Sequence, residues 1–327
     1  MQLVIRIREL LLYSHVQLKT SGGKILFGML VGLLLLAFAA SPSALSQATT
    51  QAGQDHHLPN IDFNVLVVDK SGQPQASLDK SAFHVFEDGA ERPVESVTAG
   101  GAPVSLALLV DTSGSTNGNR DTVRAVATAV IRSLPPGSEV MAVLFADKAY
   151  IDLPFTPAQS APLTFLDLLD SRGSTAFYDA LVATEDYIAA KAHNPKRALV
   201  VLSDAEDNDS TISLQQTVKK IEEKPDAPTI YFAEMPNSRA KGFEKRHSQH
   251  VASFLISVCG GLAIIPDKNE DAIALSTRIT ALISSQYVLA FTAAGTAPDP
   301  RFRKLVVRMD RPNLEAHAVQ GYFGPAQ

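Results

Sequence analysis

Residues 104–111 read VSLALLVD, and residues 112–115, TSGS, follow at once. A continuous run of apolar and small residues, without the alternation of a half-exposed strand, is typical of a strand buried on both faces of a parallel sheet. The run ends at an aspartate, and the Ser and Gly residues after it favour a tight turn. The stretch therefore predicts a buried strand with a polar loop at its carboxyl end.

Strand and helix patterns alternate from this stretch to about residue 285. The further strand patterns are EVMAVLFA, YIDLPF, RALVVLSD, TIYFAEM and LAIIP. Helical patterns lie between them, at about 123–134, 176–190, 214–223, 251–258 and from 271 onward. Such alternation is typical of a mostly parallel sheet with helices on both faces. The predicted fold class is α/β, with a three-layer, doubly wound, mostly parallel sheet in residues 103–285.

Short strand patterns without helices lie on both sides of this central region. Residues 61–100 contain FNVLVVD and then FHVFEDGAERPVESV, with a predicted hairpin turn at Asp88 and Gly89. Residues 286–327 contain QYVLAFT, FRKLVVRM and a strand-like stretch at about 316–319. Two or three strands are too few to be stable alone. We therefore expect both flanks to pair into one small β unit beside the central domain.

The N-terminus has the pattern of an export signal. Basic residues, among them Arg6 and Lys24, precede an apolar run at residues 25–40, and small residues follow in SPSALSQA. This combination predicts a secretory signal peptide at residues 1–46. The long stretch before the apolar run keeps an uncleaved anchor as the alternative. Residues 47–60 are rich in Ser, Gln, Ala and Thr and predict a linker.

Either alternative places the body of the protein outside the cytoplasm, in the periplasm, on the cell surface or in the medium. Membrane contact is expected only through an uncleaved N-terminal segment, because no later run is apolar for long enough to span a bilayer. A nucleic-acid partner is not expected, since the net charge is -5 and there is no dense Lys/Arg stripe. Cys259 is the only cysteine, which excludes an intramolecular disulfide, and its apolar neighbours predict burial.

Three predicted loops carry oxygen ligands at the carboxyl ends of strands, where doubly wound sheets bind their ligands. Asp111, Ser113 and Ser115 occupy alternate positions of an extended segment, so their side chains point the same way. The second loop, in RGSTAFYDAL, places Thr175 at a helix start, and the third, in VVLSDAEDN, places Asp204 at a strand end. Two carboxylates and several hydroxyls suit Mg²⁺, Mn²⁺ or Ca²⁺, whereas zinc prefers His and Cys.

The three loops resemble the metal-ion-dependent adhesion site of von Willebrand factor type A domains, whose signature is D-x-S-x-S followed by a distant Thr and Asp. Asp111, Ser113 and Ser115 match the first element, Thr175 the second and Asp204 the third. The resemblance implies a von Willebrand A, Rossmann-like fold for residues 103–285. The flanking stretches VLVVDKSGQP…LDKSAFHVFEDG and YVLAFTAAG…GYFGP resemble a bacterial subfamily of exported von Willebrand factor A-related proteins.

One position departs from the family pattern. Ala205 follows Asp204 where many relatives have Gly. A Cβ atom at this position would alter the loop, because Gly adopts conformations that other residues rarely adopt. Asp204 is therefore the least secure of the five predicted ligands.

Other interpretations of the same residues stay open. Asp111 and Ser115 are also typical helix caps, and Thr175 can cap the helix that follows it. The acidic stretch at 204–209 lacks the Gly and Glu of an EF-hand calcium loop and is typical of a solvated loop at a helix N-terminus. The HSQH segment at 247–250 has too few further ligands for a zinc site and predicts a polar surface segment.

The common enzyme signatures are absent from the sequence. It has no P-loop, no G-x-S-x-G elbow and no G-x-G-x-x-G after the first strand. A Mg²⁺-dependent phosphoester hydrolase, with Asp111 as nucleophile, is the enzyme alternative. Arg172 is the only Lys, Arg or His in the three loops that could stabilise a phosphoryl group, which argues against it.

The sequence therefore predicts an exported, non-enzymatic module for protein binding or adhesion. Its divalent ion, expected to be Mg²⁺ with Mn²⁺ or Ca²⁺ as alternatives, recognises a carboxylate of a protein or peptide partner. In this hypothesis Ser113 and Ser115 bind the ion directly, while Asp111, Thr175 and Asp204 bind it directly or through water. The non-enzymatic alternative is a structural or assembly factor of an envelope complex, in which the metal only braces the loops.

Overall fold

The computed structural model describes residues 60–169, 173–224, 226–235, 242–267, 270–295 and 300–324, together with the short strand Val4–Ile5. The predicted signal peptide or anchor at 1–46 and the predicted linker at 47–60 therefore lie outside the described residues, apart from that strand and Asn60. Within the ranges that are described, no helix combines the length and the apolar character needed to cross a bilayer.

Fifteen strands and five α-helices, numbered along the chain, lie in these residues. The strands are β1 Val4–Ile5, β2 Asn60–Asp69, β3 Phe83–Glu87, β4 Ala90–Arg92, β5 Val94–Thr98, β6 Ser105–Asp111, β7 Glu139–Phe145, β8 Ala149–Pro157, β9 Arg197–Ser203, β10 Thr229–Glu234, β11 Gly261–Ile264, β12 Tyr287–Thr292, β13 Phe302–Met309, β14 Leu314–Ala318 and β15 Gly321–Phe323. The helices are α1 Arg120–Ser133, α2 Phe177–Lys191, α3 Leu214–Glu222, α4 Gly242–Cys259 and α5 Ala272–Ser285.

The central sheet has seven strands in the order β1-β8-β7-β6-β9-β10-β11. Neighbouring strands are parallel except β7 and β8, which are antiparallel. Only residues 146–148 join these two strands, and so short a connection allows a hairpin but no crossover between parallel strands. The predicted mostly parallel sheet is confirmed, with one antiparallel pair that the apolar pattern did not reveal.

Helices cover both faces of this sheet and complete the predicted three-layer α/β fold. Alternate residues of β6 enter two apolar cores. Leu106 and Leu108 pack on the side of α1 and α5, while Ala107 and Leu109 pack on the side of α2, α3 and α4. All residues of β6 are buried, which explains why its sequence does not alternate. The loop after β6 opens near the middle of the carboxyl edge of the sheet.

The strands of the two flanks form a pair of four-stranded antiparallel sheets, β14-β2-β12-β5 and β15-β13-β3-β4. The expected pairing of the flanks is confirmed, although in two sheets. Asp88 and Gly89, with φ of 50° and 84°, form the predicted two-residue turn between β3 and β4. β2 joins this β unit to the central domain, because Val65 and Val67 enter one apolar core and Leu66 enters the other.

A buried polar network lies where β2 meets the central sheet. The Gln286 side-chain amide donates to Asn64 Oδ1 (2.7 Å) and to the carbonyl oxygen of Arg197 (2.8 Å). The Tyr231 hydroxyl donates to Gln286 Oε1 (3.0 Å), and the Arg197 N–H donates to Asn64 Oδ1 (3.1 Å). Because buried polar groups are costly to leave without partners, these bonds favour one position of β2 against the sheet.

Helix α4 is longer than the sequence pattern predicts. It begins at Gly242, whereas apolar residues at helical spacing begin only at Val251. The first half of the helix is polar, so no apolar stripe marks it, and His247 and His250 are exposed there. Cys259 ends the helix and is buried, and burial raises the pKa of its thiol well above the usual value. The predicted burial of this cysteine is confirmed.

Candidate metal-binding site

Asp111 is the last residue of β6, and its side chain is almost completely buried in the first loop, at 3% exposure. Its Oδ1 accepts a hydrogen bond from the N–H of Ser113 (2.8 Å), and its Oδ2 accepts one from the hydroxyl of Ser203 (2.6 Å). Burial raises the pKa of the Asp111 carboxyl to about 6, and the nearby Asp204 carboxylate adds to this rise. No Lys, Arg or His of the described residues forms an ion pair with Asp111.

The two serines of the first loop lie together. Ser113 has an extended backbone, with φ of -70° and ψ of 170°, and its Oγ lies 3.0 Å from the Oγ of Ser115. The hydroxyl of Thr116 donates to the carbonyl oxygens of Asp111 (3.1 Å) and Ser113 (3.0 Å), which closes the loop. The predicted convergence of Ser113 and Ser115 is therefore present, and Thr116 is a supporting residue that spacing alone did not indicate.

Thr175 lies in the second loop, two residues before α2, and is 2% exposed. Its N–H donates to Asn208 Oδ1 (2.8 Å), and its carbonyl oxygen accepts from the N–H groups of Asn208 (2.9 Å) and Asp209 (3.0 Å). A hydrogen bond from the Gly114 N–H to the carbonyl oxygen of Gly173 (3.4 Å) joins the first loop to the second. Thr175 is thus fixed between the first and third loops.

Asp204 follows β9 at the start of the third loop and is 4% exposed. The Ser203 hydroxyl, which donates to Asp111, also accepts from the N–H of Ala205 (3.0 Å), so it links the first and third loops. Ala205 has φ of 58°, a left-handed conformation that costs a residue with a Cβ about 1–2 kcal/mol. The family's preference for Gly at this position therefore has a conformational reason in this chain.

The acidic stretch after Asp204 caps a helix that is distant in sequence. Asp207 accepts from the N–H of Tyr178 (3.3 Å), and the Ser210 hydroxyl accepts from the N–H of Asp179 (3.1 Å), so the stretch caps α2. Burial raises the pKa of the Asp207 carboxyl. Helix α3, which follows in sequence, has its own capping box at Ser213. The predicted position at a helix N-terminus is therefore present, but the helix is α2, which is distant in sequence, and not α3.

The alternative in which the predicted ligands are only helix caps does not fit the structure. The residue at the N-cap of α1 is Asn119, and the residue at the N-cap of α2 is Ala176. Neither helix has a side-chain hydrogen bond from its N-cap residue. Asp111 bonds inside its own loop, and Thr175 precedes the cap position. Arg172, the cation considered for a hydrolase, lies outside the described residues.

Residues 106–206 match the family model of the von Willebrand factor type A domain. Residues 106–206 therefore resemble a von Willebrand factor type A domain. The matched stretch runs from β6 to the loop after β9 and includes all five predicted ligands. A comparison with curated protein sequences gave no significant match.

Solved structures are similar to this chain at low sequence identity. A von Willebrand factor type A protein from Catenulispora acidiphila is 13% identical, with a TM-score of 0.44 over 83% of this chain and 75% of that one. The manganese-loaded TRAP protein of Plasmodium vivax is 15% identical, with a TM-score of 0.42 over 74% and 99%. BatB from Bacteroides thetaiotaomicron is 15% identical, with a TM-score of 0.40 over 56% and 100%.

The donor set formed by the three loops fits a hard divalent cation. Asp111 and Asp204 are both buried, and the charge of Asp204 helps to raise the pKa of Asp111, so the two carboxylates repel each other. A cation beside them would offset the repulsion, and Ser113, Ser115 and Thr175 offer neutral oxygen ligands. In the described part of the chain, no three His, Cys, Asp or Glu side chains come together as metal ligands, so this set depends on its hydroxyls.

Proposed function

We propose that this chain is an exported, non-enzymatic protein-binding module that holds a divalent cation at the carboxyl edge of its central sheet. The proposed protein ligands are Asp111, Ser113, Ser115, Thr175 and Asp204. The observation that supports this most strongly is the pair of buried carboxylates, Asp111 and Asp204, which repel each other across two loops. Two buried like charges are costly unless an opposite charge joins them.

A bound cation would supply an electrophilic coordination position for an oxygen atom of a partner. If Asp111 or Asp204 contacts the cation only through water, the charge of a divalent cation is incompletely neutralised, and Ser113, Ser115 and Thr175 add no negative charge. The site therefore favours a further anion from outside, and we propose that this anion is a carboxylate of a protein or peptide. Recognition of this kind requires no covalent step, so the proposed function is binding and not catalysis.

Mg²⁺ is the proposed cation, with Mn²⁺ and Ca²⁺ as alternatives. All the proposed ligands are oxygen atoms, and protein sites for Mg²⁺ commonly use one or two carboxylates and keep several waters. Export is proposed from the charged and apolar pattern of residues 1–46, and it would place the site in the periplasm, on the cell surface or in the medium. Membrane contact, in this proposal, occurs only through an uncleaved N-terminal segment.

The metal site is tested by calorimetric titration of Mg²⁺, Mn²⁺ and Ca²⁺ into the full chain and into two variants, Asp111→Ala and Asp121→Ala. Asp121 is the matched control, because it lies near the first loop in α1 but its side chain is fully exposed. Saturable one-site binding that disappears in Asp111→Ala and persists in Asp121→Ala supports the proposal. A folded wild-type chain that binds none of the three cations contradicts it.

Carboxylate recognition needs a separate test on the Mn²⁺-loaded chain. Mn²⁺ is paramagnetic, so the relaxation of water protons reports the water that it binds. A short peptide with a central Asp should displace such water and reduce the relaxation enhancement, whereas the same peptide with Asn should not. Equal effects of both peptides would argue against carboxylate recognition and favour an assembly factor in which the metal only braces the loops.

A further inference from the structure

We propose that Asn208 is the positioning residue of the metal site, because it holds the backbone of Thr175 and thereby sets the direction of the Thr175 hydroxyl. This inference rests on the proposed function and deepens it. Asn208 belongs to none of the three motif elements, and it follows Asp204 by four positions in the third loop. Its role is to hold Thr175, a proposed ligand of the second loop, in a fixed position beside the third loop.

Hydrogen bonds hold the Thr175 backbone on both sides of its Cα. Its N–H donates to Asn208 Oδ1 at 2.8 Å, and its carbonyl oxygen accepts from the N–H groups of Asn208 at 2.9 Å and Asp209 at 3.0 Å. The next residue, Ala176, donates its N–H to the carbonyl oxygen of Ala146 at 2.7 Å. The peptide groups before and after the Thr175 Cα are therefore both fixed, and Asn208 contributes to each side of it.

A fixed backbone at Thr175 determines where its hydroxyl points. Threonine is branched at Cβ, so its side chain has few allowed rotamers once the backbone is set. Thr175 is buried, and its Oγ1 has no hydrogen-bond partner in the part of the chain that the structure describes. The direction of Oγ1 therefore depends on the backbone bonds and not on a bond of its own.

Other bonds from the same loop act on α2 and leave Thr175 untouched. The Ser210 hydroxyl accepts from the N–H of Asp179 at 3.1 Å, and Asp207 accepts from the N–H of Tyr178. Removal of the Ser210 hydroxyl would thus weaken the cap of α2 while the Thr175 bonds stay in place. Ser210→Ala is a matched control for the structural contribution of this loop.

The test compares the full wild-type chain with Asn208→Ala, Asn208→Asp and Ser210→Ala. Mg²⁺ and Mn²⁺ affinities are measured by calorimetry, and amide hydrogen exchange at Thr175 is measured without metal. We expect Asn208→Ala to weaken metal binding about tenfold or more, as is typical when a partner of a metal ligand is lost, and to speed exchange at the Thr175 amide. Asn208→Asp keeps the acceptor oxygen and should restore slow exchange and metal binding.

Ser210→Ala should lower the thermal stability of the metal-free chain and leave the metal affinity within about twofold of the wild type, since the Thr175 bonds remain. Wild-type affinity in Asn208→Ala, or an equal loss of affinity in Ser210→Ala, would overturn the assignment of Asn208. A wild-type chain that binds neither cation would overturn the proposed function itself. The two failures are therefore distinguishable.

Discussion

Glu87 and Asp111 are each the last residue of a strand, β3 and β6, and both side chains are almost completely buried, yet their surroundings are opposite. Glu87 accepts hydrogen bonds from two cations, Arg303 (2.8 Å) and Arg92 (3.0 Å), and from the Tyr322 hydroxyl (2.6 Å). Burial raises the pKa of the Glu87 carboxyl, but the bonds from Tyr322 and Arg303 outweigh burial and hold this pKa below its usual value.

Among the described residues, Asp111 accepts hydrogen bonds from uncharged groups of Ser113 and Ser203 alone, and the carboxylate of Asp204 acts on it as a like charge. Its pKa is raised to about 6, first by burial. The comparison distinguishes two kinds of buried acid. An acid that the chain neutralises itself supports the fold, whereas an acid left beside a like charge is typical of a functional site.

The largest effect is expected from breaking the ion pair of the β unit. Arg303→Met leaves Glu87 buried without its closest cation, although Arg92 remains, so the free energy of unfolding should fall by about 3–5 kcal/mol. Urea unfolding of the full chain measures this change. Arg308→Met is the control, because Arg308 is exposed over the ring of Phe86 and should contribute less than about 1 kcal/mol. A loss as small as the control's would remove the contrast between the two acids.

The second effect concerns Asp111 and depends on metal. In EDTA, Asp111→Asn should stay within about 1 kcal/mol of the wild type, because the Asn oxygen can still accept the bond from Ser113, and the lost repulsion with Asp204 offsets the lost acceptor for the Ser203 hydroxyl. With Mg²⁺ at about a hundred times its dissociation constant, the wild type should gain about 3 kcal/mol and the variant nothing. Thermal unfolding with and without Mg²⁺ measures both values. A large loss in EDTA would place Asp111 in the same structural class as Glu87.

Glu185 in α2 is a third buried acid, and its surroundings lie between these two cases. Neither carboxylate oxygen has a hydrogen bond within the described residues, and the Lys224 ammonium lies 3.9 Å from Oε2. Burial raises the pKa of this carboxyl from 4.5 to about 7, while Lys224 lowers it only in part. The folded protein therefore binds this proton more tightly than the unfolded chain does. Its contribution to stability is complete below about pH 4.5 and is lost as the pH rises through about 7.

Glu185→Gln should remove this dependence on pH. The difference in the free energy of unfolding, variant minus wild type, should increase by about 2–3 kcal/mol from pH 5 to pH 8.5, because the wild type loses stability over this range. One unit of pKa corresponds to about 1.4 kcal/mol. Urea unfolding at both pH values measures the increase. Glu223→Gln, at an exposed position just after α3, is the matched control for the loss of one carboxylate. An increase for Glu185→Gln no larger than the control's would show that Glu185 is neutralised as Glu87 is.

The smallest effect is expected at the left-handed residue of the third loop. Ala205→Gly should stabilise the metal-free chain by about 0.5 kcal/mol, because relief of the strained backbone slightly exceeds the entropy that Gly loses on folding. Ala192→Gly is the control at an ordinary loop residue with φ of -71°, and it should destabilise by a similar amount. Thermal unfolding measures both. If Ala205→Gly destabilised the chain, the packing of the Ala205 Cβ would contribute more free energy than the left-handed backbone conformation costs.

Local sequence patterns were sufficient for most of the fold. The unbroken apolar run of β6 predicted burial on both faces, and Asp88-Gly89 predicted a turn whose two residues both have positive φ. The direction of β8 and the start of α4 were missed for different reasons. The three-residue connection before β8 indicates a hairpin and hence an antiparallel β8. The apolar pattern of β8 carries no information on strand direction, so the sequence alone predicted only a strand. The polar first half of α4 has no apolar periodicity, so its helical state depends on tertiary contacts.

The candidate site divides in the same way. The alternate spacing of Asp111, Ser113 and Ser115 is a local property, so the first loop could be predicted from sequence. The bond from Ser203 to Asp111 joins residues 92 positions apart, and the bond from Asn208 to Thr175 spans 33 positions. No local pattern identifies the partner in either bond, because both depend on which strand ends become neighbours. The sequence shows Ser203 next to Asp204, but it does not show that Ser203 bonds Asp111. That bond forms because β6 and β9 are neighbours in the sheet.

The position of β2 in the sheet also determines the order in which parts of the chain fold. Asn64 in β2 is bonded to Gln286, 222 positions later, and β2 pairs with β12 and β14 from the other end of the chain. During synthesis β2 is made long before β12 and β14. The β unit therefore forms late, and its formation costs the entropy of closing a very long loop. Until then β2 has open edges that invite aggregation.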